Sequence, residues 1–388
     1  MLLVLAKALL FADANGPTPL LLGQAAVSTA IPLVLAGPIA GVIADRWPRK
    51  QVLVTGQALR SILAVVAILA IIVDIRAVTL MVFVLCLCAS RLLYTARVAS
   101  VRHLVRQHEL VAADSLMLIL GVVAGVVGAA AFAALTQLHL VCVLVAVAIG
   151  HFGAAYFYDR TRTWLGGEGQ TSSIQWRDVA EQLSCGKTRY AILATSLHRC
   201  FVGFVVAAVS LDLDGRTGGS ASGYAGAIGA VGFAGFLGSL TSEWMNEHLR
   251  RRALTIGAFA ASGLAFVPVQ FLAGPTPRLV ALGVAAFAFQ NLRVASDATI
   301  QANAVSGSCG RVFAAYDIAF NLAYVAGVVV GLAMTSSGSV EFALTTVIPA
   351  FFIGSLVFAV IEREPRREES RVYVASTQGL DETTVGVG

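Results

Sequence analysis

Charge is scarce in this chain. Of its 388 residues only 13% are Asp, Glu, Lys or Arg, about half the roughly 25% of a soluble domain. Hydrophobic residues make up 57%, and the mean hydropathy is +0.81. Long polar stretches are nearly lacking as well: only 158–189 and 362–388 are polar enough to lie wholly in water, which leaves no room for a soluble catalytic domain. Cysteine is sparse, and Cys86, Cys88, Cys142, Cys185, Cys200 and Cys309 show no paired metal-ligand spacing. Cys86-x-Cys88 is too close for a zinc clip, so these read as small core residues and no metal site is expected. There is no phosphate-binding glycine loop, so direct ATP drive is unsupported and no nucleotide, metal or organic cofactor is expected. The net charge of +5 does not point to nucleic acid, because the Lys and Arg residues fall in short loops between apolar runs, where they have a topological use.

What is abundant is apolar sequence of membrane-crossing length. Spans are read near 1–13, 19–44, 51–73, 77–96, 111–135, 138–157, 189–211, 219–242, 253–272, 278–303, 311–336 and 343–361. A helix of about 20 residues crosses a hydrocarbon layer of about 30 Å, so the class is an all-α membrane protein with about twelve spans. If the loop at 45–50 is cytoplasmic, alternate loops should be rich in Arg. They are: predicted inside positions carry 19 basic residues and outside loops carry three, Arg76, Arg216 and Arg278. This asymmetry predicts a multi-pass protein of the cell (inner) membrane with both termini cytoplasmic.

The first span is short, and Lys7 interrupts it. A cleaved leader with Ala12-Asp13-Ala14 as its cutting site lacks a basic start. The expectation is instead a truncated helix 1, its start codon assigned too late. Residues 1–157 then form one six-helix half and 189–361 the other. Between them, 158–188 is a cytoplasmic linker in which Ser172-x-x-Gln175, Val179 and Leu183 suggest a capped surface helix. A disordered cytoplasmic tail is expected over 362–388.

Sorted by content, the spans repeat in threes. Ionisable residues fall in spans 1, 4, 7 and 10 (Lys7, Asp13, Arg91, His198, Arg199, Arg293, Asp297), and glycine concentrates in spans 2, 5, 8 and 11. The rest are mostly plain, with Arg60 the exception. Span 8 has Gly223, Gly226, Gly229, Gly232, Gly235 and Gly238 at every third position, a row that winds around a helix and predicts close approach of more than one neighbour. A shift of 201 residues lays Gly37 on Gly238, Arg49 on Arg250 and Lys50 on Arg251, while Asp45 falls on Asn246 and Gly41 on Ser242. The second copy keeps the bases and loses the acid, so the stronger latch is expected in the first half.

The turn Gly41-x-x-x-Asp45-Arg46-x-Pro48-Arg49-Lys50 resembles the signature loop between helices 2 and 3 of major facilitator superfamily transporters, with Pro48 where that pattern has glycine. The resemblance implies two six-helix bundles around a central cavity, alternating between inward- and outward-facing states. It implies gating roles for Gly41, Asp45, Arg46, Arg49, Lys50 and Arg311, with Asp45 meeting the N-terminus of helix 11 near Gly310-Arg311-Val312, where the positive end of the helix dipole holds a carboxylate. Arg97 to Ser115 looks like the loop between helices 4 and 5 in drug- and siderophore-exporter branches, without their proline. Gly121-x-x-x-Gly125-x-x-Gly128 is similar to an antiporter pattern but lacks its Gly-Pro pair. Asp297 to Gln301 with Arg311 to Asn321 resembles a group of actinobacterial facilitators.

Arg91, His198, Arg199, Arg293, Asp297 and Asp317 are the candidate substrate- or proton-binding residues. Arg293 with Asp297, and Asp317 with Asn321, stand four apart and can pair on one helix face. The acids are either proton carriers or an inner-gate salt-bridge network. His198 and Arg199 fall near mid-membrane, where Arg can bind an anionic group or pair with an acid such as Asp13. Proton-coupled export of a small amphipathic metabolite or drug by a monomer is what the resemblance implies, with the bilayer as its setting. The alternatives are a facilitator of lipid-like substrates such as lysophospholipids and a non-transporting scaffold. A lipid-linked glycosyltransferase using Asp212-x-Asp214 lacks the large outer loop such enzymes need, so no enzyme is expected.

Overall fold

Pro48 sets the first visible boundary. Its ring stands at the N-cap of a helix that runs Arg49–Ile72, so the helix before it, seen over 36–46, stops and the chain turns. The computed structural model describes residues 36–73, 75–136, 140–166, 176–216, 222–304 and 308–361. The predicted span 1, with Lys7 and Asp13, the Ser172-x-x-Gln175 cap and the tail from 362 lie outside the described residues.

The helices are α1 (36–46), α2 (Arg49–Ile72), α3 (Arg76–Val101), α4 (Leu110–Thr136), α5 (Leu140–Arg160), α6 (Trp176–Ser184), α7 (Gly186–Arg216), α8 (Ser222–His248), α9 (Arg251–Phe266), α10 (Pro275–Asn303), α11 (Cys309–Ser337) and α12 (Val340–Ile361). Short 3-10 turns stand at Gln107–Glu109 and Pro268–Gln270. Helix α10 starts where its sequence dictates, with Gly274 at φ 100° followed by Pro275 in the first turn. Among the described residues, nine helices are long and apolar enough to cross a membrane. Large side chains such as Ile62, Leu69, Val126, Phe152, Phe157, Leu356 and Val360 stand exposed on them. In water that surface would be an aggregation liability; against lipid it is the natural outer face.

The two halves pack alike. Helix α2 packs on α5 in the first, and α9 on α12 in the second, so the plain members of each triple pair with each other. Across the halves, α4 meets α8 and α10, and α11 meets α3. Gly37 and Gly41 of α1 press on Ile318 and Ala314 of α11. Each of these crossings includes a glycine-rich member, in two of them against a polar one, α3 or α10.

Helix α8 departs from its expected glycine packing. An added Cβ at Gly238 would strike Gln290 and the carbonyl of Phe287, but at Gly229, Gly232 and Gly235 it would meet nothing within 4 Å. The tight backbone approach lies instead between α7 and α11, where Gly327 and Gly331 sit against the carbonyls of Cys200 and Phe204, and Gly203 against that of Tyr324. All six cysteines are free. Helix α6 has Val179 buried in a cluster that joins Val98 and Ala99 of α3 to Phe313 and Tyr316 of α11.

Candidate functional site

The ends of the helices near 46–50, 101–110, 160–166, 248–251 and 303–311 gather at one side of the bundle, called here the latch end. Asp45, 4% exposed, lies at its centre. Its carboxylate accepts the backbone N–H of Gly310 at 2.6 Å and of Arg311 at 3.1 Å, and pairs with Arg311 Nε at 3.0 Å. Those amides belong to the first turn of α11, whose N–H groups have no partner within the helix, so a carboxylate there meets both hydrogen-bond donors and the positive helix end.

Two glycines make the approach possible. A Cβ at Gly41 would lie 2.9 Å from both Arg311 Cα and Ala314 Cβ, and one at Gly310 would lie 2.7 Å from Asp45 Oδ1.

The other signature-loop residues behave differently from Asp45. Arg49, 3% exposed, points inward within its own half, donating to the carbonyls of Ala44 (3.2 Å), Ala99 (2.8 Å) and Leu165 (3.1 Å). It ties the turn, the end of α3 and the start of the linker into one block. Gly166 closes that block: its φ is 83°, its carbonyl accepts the Arg49 N–H, and a Cβ would strike Arg49 Nη1 and His103. His103 stands edge-on to Trp164, and burial, with the nearby Arg49 and Arg102 cations, lowers its pKa from 6.5 to about 4. Lys50 makes an exposed 3.9 Å pair with Asp159, and Arg46 is exposed.

The 201-residue repeat shows why one half carries the latch. Asn246, the counterpart of Asp45, turns its amide back to the carbonyl of Ser242 in its own helix. A neutral amide gains little from a helix dipole, and this one does not cross.

Further into the bundle, Arg91 of α3 pairs with Asp317 of α11 at 3.0 Å, and Asn321 donates to the same carboxylate. Arg293 stands 3.7 Å from Asp297 and donates to Tyr94 at 2.9 Å. Arg199 lies over the rings of Phe289 and Tyr324 at 4.6 Å each and of Phe320 at 5.6 Å. Its Nε has no hydrogen-bond partner among the described residues. Arg91, Arg199, Arg293, Asp297 and Asp317 thus form one neighbourhood spread over α3, α7, α10 and α11.

His198 is not in it. Successive helix residues point about 100° apart, and His198 turns into the second half's own core, against Phe259 and Phe351, with Ser262 at 3.0 Å. Asp212, weighed above for an enzyme, is 8% exposed and paired with Arg278 at 2.6 Å at the opposite end of the bundle.

Sequence reasoning passed over four side chains here: Arg102, which donates to the carbonyl of Ala304 across the halves at 2.8 Å, Tyr94, Asp114 and Gln301. Arg102 had a signal only as a topology charge. Asp114 and Gln301 lie in the two segments that carry a family resemblance, but nothing in the sequence says that they face each other.

No protein-family model and no curated protein sequence matches the chain. Solved structures do match in fold. A bacterial homologue of the iron transporter ferroportin, in an outward-facing state, aligns with a TM-score of 0.65 at 14% identity over 94% of this chain and 97% of that one. The fucose:proton symporter of E. coli aligns with a TM-score of 0.61 at 15% identity, over 92% and 96%. A second structure of that symporter, described as a major facilitator superfamily transporter in the outward conformation, scores 0.62 at 14% over 86% and 89%. The human organic anion transporter MFSD10 aligns with 0.69 at 14%, over 92% and 88%. The fold is that of the major facilitator transporters, and the chain is a multi-pass membrane protein.

Proposed function

We propose that this protein is a secondary transporter working by alternating access, with Asp45 on the N-terminus of α11 as the latch of its cytoplasmic gate. The observation that carries this reading is the buried Asp45 carboxylate held by two backbone amides and one guanidinium of the other half. A contact built from one charge and a helix end can be broken as a unit, which is what a two-state gate requires.

Proton-coupled export of a small amphipathic metabolite or drug is the activity this reading favours. Arg199 among three aromatic rings supports a cargo with an apolar body and an anionic group, since stacked rings take the body while a guanidinium takes the charge. Arg91 with Asp317 and Arg293 with Asp297 line the route between the halves. The six-helix halves at 1–157 and 189–361 are the moving bodies, and the protein works as a monomer.

The test is proton movement in everted membrane vesicles while dyes, antibiotics and host metabolites are added, with Asp45→Asn as control. A compound-dependent proton leak that the variant weakens supports exchange. Silence across the panel from an inserted, folded protein removes drug–proton exchange and favours a lipid facilitator.

A further inference from the structure

Asp114 stands in the first turns of α4, 3% exposed, facing α10 of the other half. Gln301 Nε2 donates to its two oxygens at 2.9 and 3.0 Å. Asp297, one turn earlier on α10, lines the same cavity of about 270 Å³, together with Tyr94, Arg97 and Met117. Among the described residues no cation comes within 4.0 Å of the Asp114 carboxylate. One atom at this junction, Gln301 Oε1, is buried with no hydrogen-bond partner among the described residues, whereas Asp297 has the Tyr316 hydroxyl of α11 and Arg293 beside it.

The surrounding charges are accounted for. From α3 come Tyr94, held by Arg293, and Arg97, which is exposed. From α10 come Arg293, engaged with Tyr94 and Asp297, and Asp297 itself. In α5, His151 turns to Gln57 of α2. Glu243 and Glu247 of α8 are exposed, and Glu109 of the adjoining turn is exposed and accepts the Arg106 N–H. None of these groups neutralises Asp114.

An ionised Asp114 is a poor arrangement here, because its carboxylate meets only the neutral Gln301 amide while Arg293 is engaged with Asp297 and Tyr94, and a buried charge needs a partner. One proton repairs it. The O–H of a protonated Asp114 can donate to Gln301 Oε1 after a half-turn of the amide, so an orphaned acceptor gains a donor and the unpaired buried charge disappears.

We propose that Asp114 holds a proton while the latch end is closed, and that release of this proton to water on that side drives α4 and α10 apart. The step is a simple dissociation: the O–H bond breaks, the proton passes to water, and Asp114 is left as a buried carboxylate without a counter-charge between α4 and α10, which separation of the two helices relieves by admitting water. This rests on the transporter reading above and gives its coupling ion a binding site.

The experiment uses the full chain in lipid nanodiscs and two native thiols. Cys309 is buried against Val98 and Ala99 of the opposite half, while Cys185 is exposed and serves as internal standard. Maleimide labelling of each, mapped by mass spectrometry, is compared from about pH 5 to about pH 8, spanning the usual ionisation range of a perturbed carboxyl. In the wild type the Cys309-to-Cys185 ratio is expected to rise about tenfold across this range, as the closed population falls. Asp114→Asn, which keeps shape and removes the proton site, is expected to hold the ratio low throughout. A flat wild-type profile, or an undiminished rise in Asp114→Asn, overturns the proposal. Asp45→Asn separates the two levels of the argument: if it exposes Cys309 at every pH while Asp114→Asn still shows the rise, the proton site alone is wrong. If it leaves Cys309 protected, the alternating-access latch fails, and with it the basis for the proton site.

Discussion

Asp45 and Gly310 meet carboxylate to backbone amide at 2.6 Å, across 265 residues of chain. The contact binds one half of the bundle to the other through a main-chain donor, which no substitution at position 310 other than proline removes. The acid and the space around it are the parts that side-chain changes alter.

Removing the acid's charge is the first prediction. Asp45→Asn leaves the Arg311 guanidinium buried without its counter-charge, a situation that costs about 3–5 kcal/mol in comparable sites. The closed state should lose its advantage, with Cys309 labelled faster and substrate-coupled proton flux reduced. An unaltered labelling rate would show that the latch is not what holds the halves.

Space gives a second prediction. Gly41→Ala and Gly310→Ala each place a methyl group within 3.0 Å of the opposing helix, so both should loosen the latch much as Asp45→Asn does. Gly125→Ala, where an added Cβ meets nothing within 4 Å, should leave labelling and flux unchanged.

Arg49 and Arg46 separate packing from topology. Arg49→Lys cannot reach three carbonyls with one ammonium, and each orphaned buried group costs about 1–3 kcal/mol. Thermal unfolding in detergent should shift clearly downward for Arg49→Lys, whereas Arg46→Ala, at an exposed site, should change little.

His103 predicts a pH dependence. Its pKa is depressed from 6.5 to about 4 by burial beside Arg49 and Arg102, so the unfolded chain binds the extra proton first. Stability is therefore full above pH 6.5 and lost as pH falls from there to about 4. His103→Gln should flatten the thermal stability profile across that window, and an unchanged slope would assign it to another group.

The Arg278 and Asp212 pair, buried at the opposite end, predicts an asymmetry between single and double changes. Asp212→Asn or Arg278→Met alone should destabilise by about 3–5 kcal/mol, while Asp212→Leu with Arg278→Met should approach wild type, since no unpaired charge remains. The thermal midpoints of the three variants decide it.

By itself, the order of residues settled the membrane class, the length and number of most spans and the three-helix alternation of polar, glycine-rich and plain members. Those properties depend on composition over a window of about 20 residues, which lipid reads directly. It also marked Asp45, because a charged turn between two apolar runs is visible without knowing what it touches, whereas Arg311 entered only through the resemblance to the facilitator signature loop.

Tertiary structure decided the rest. That Arg49 serves its own half while Asp45 crosses, that His198 and Arg199 part company, that the closest glycine contacts join α7 to α11, and that Asp114 faces Gln301 are all outcomes of which helix face meets which neighbour. In lipid, helix faces differ little in their hydrophobic drive to associate, so close packing and a few polar contacts choose the partners. Those choices join residues as far apart as Asp114 and Gln301, where no local pattern carries the information.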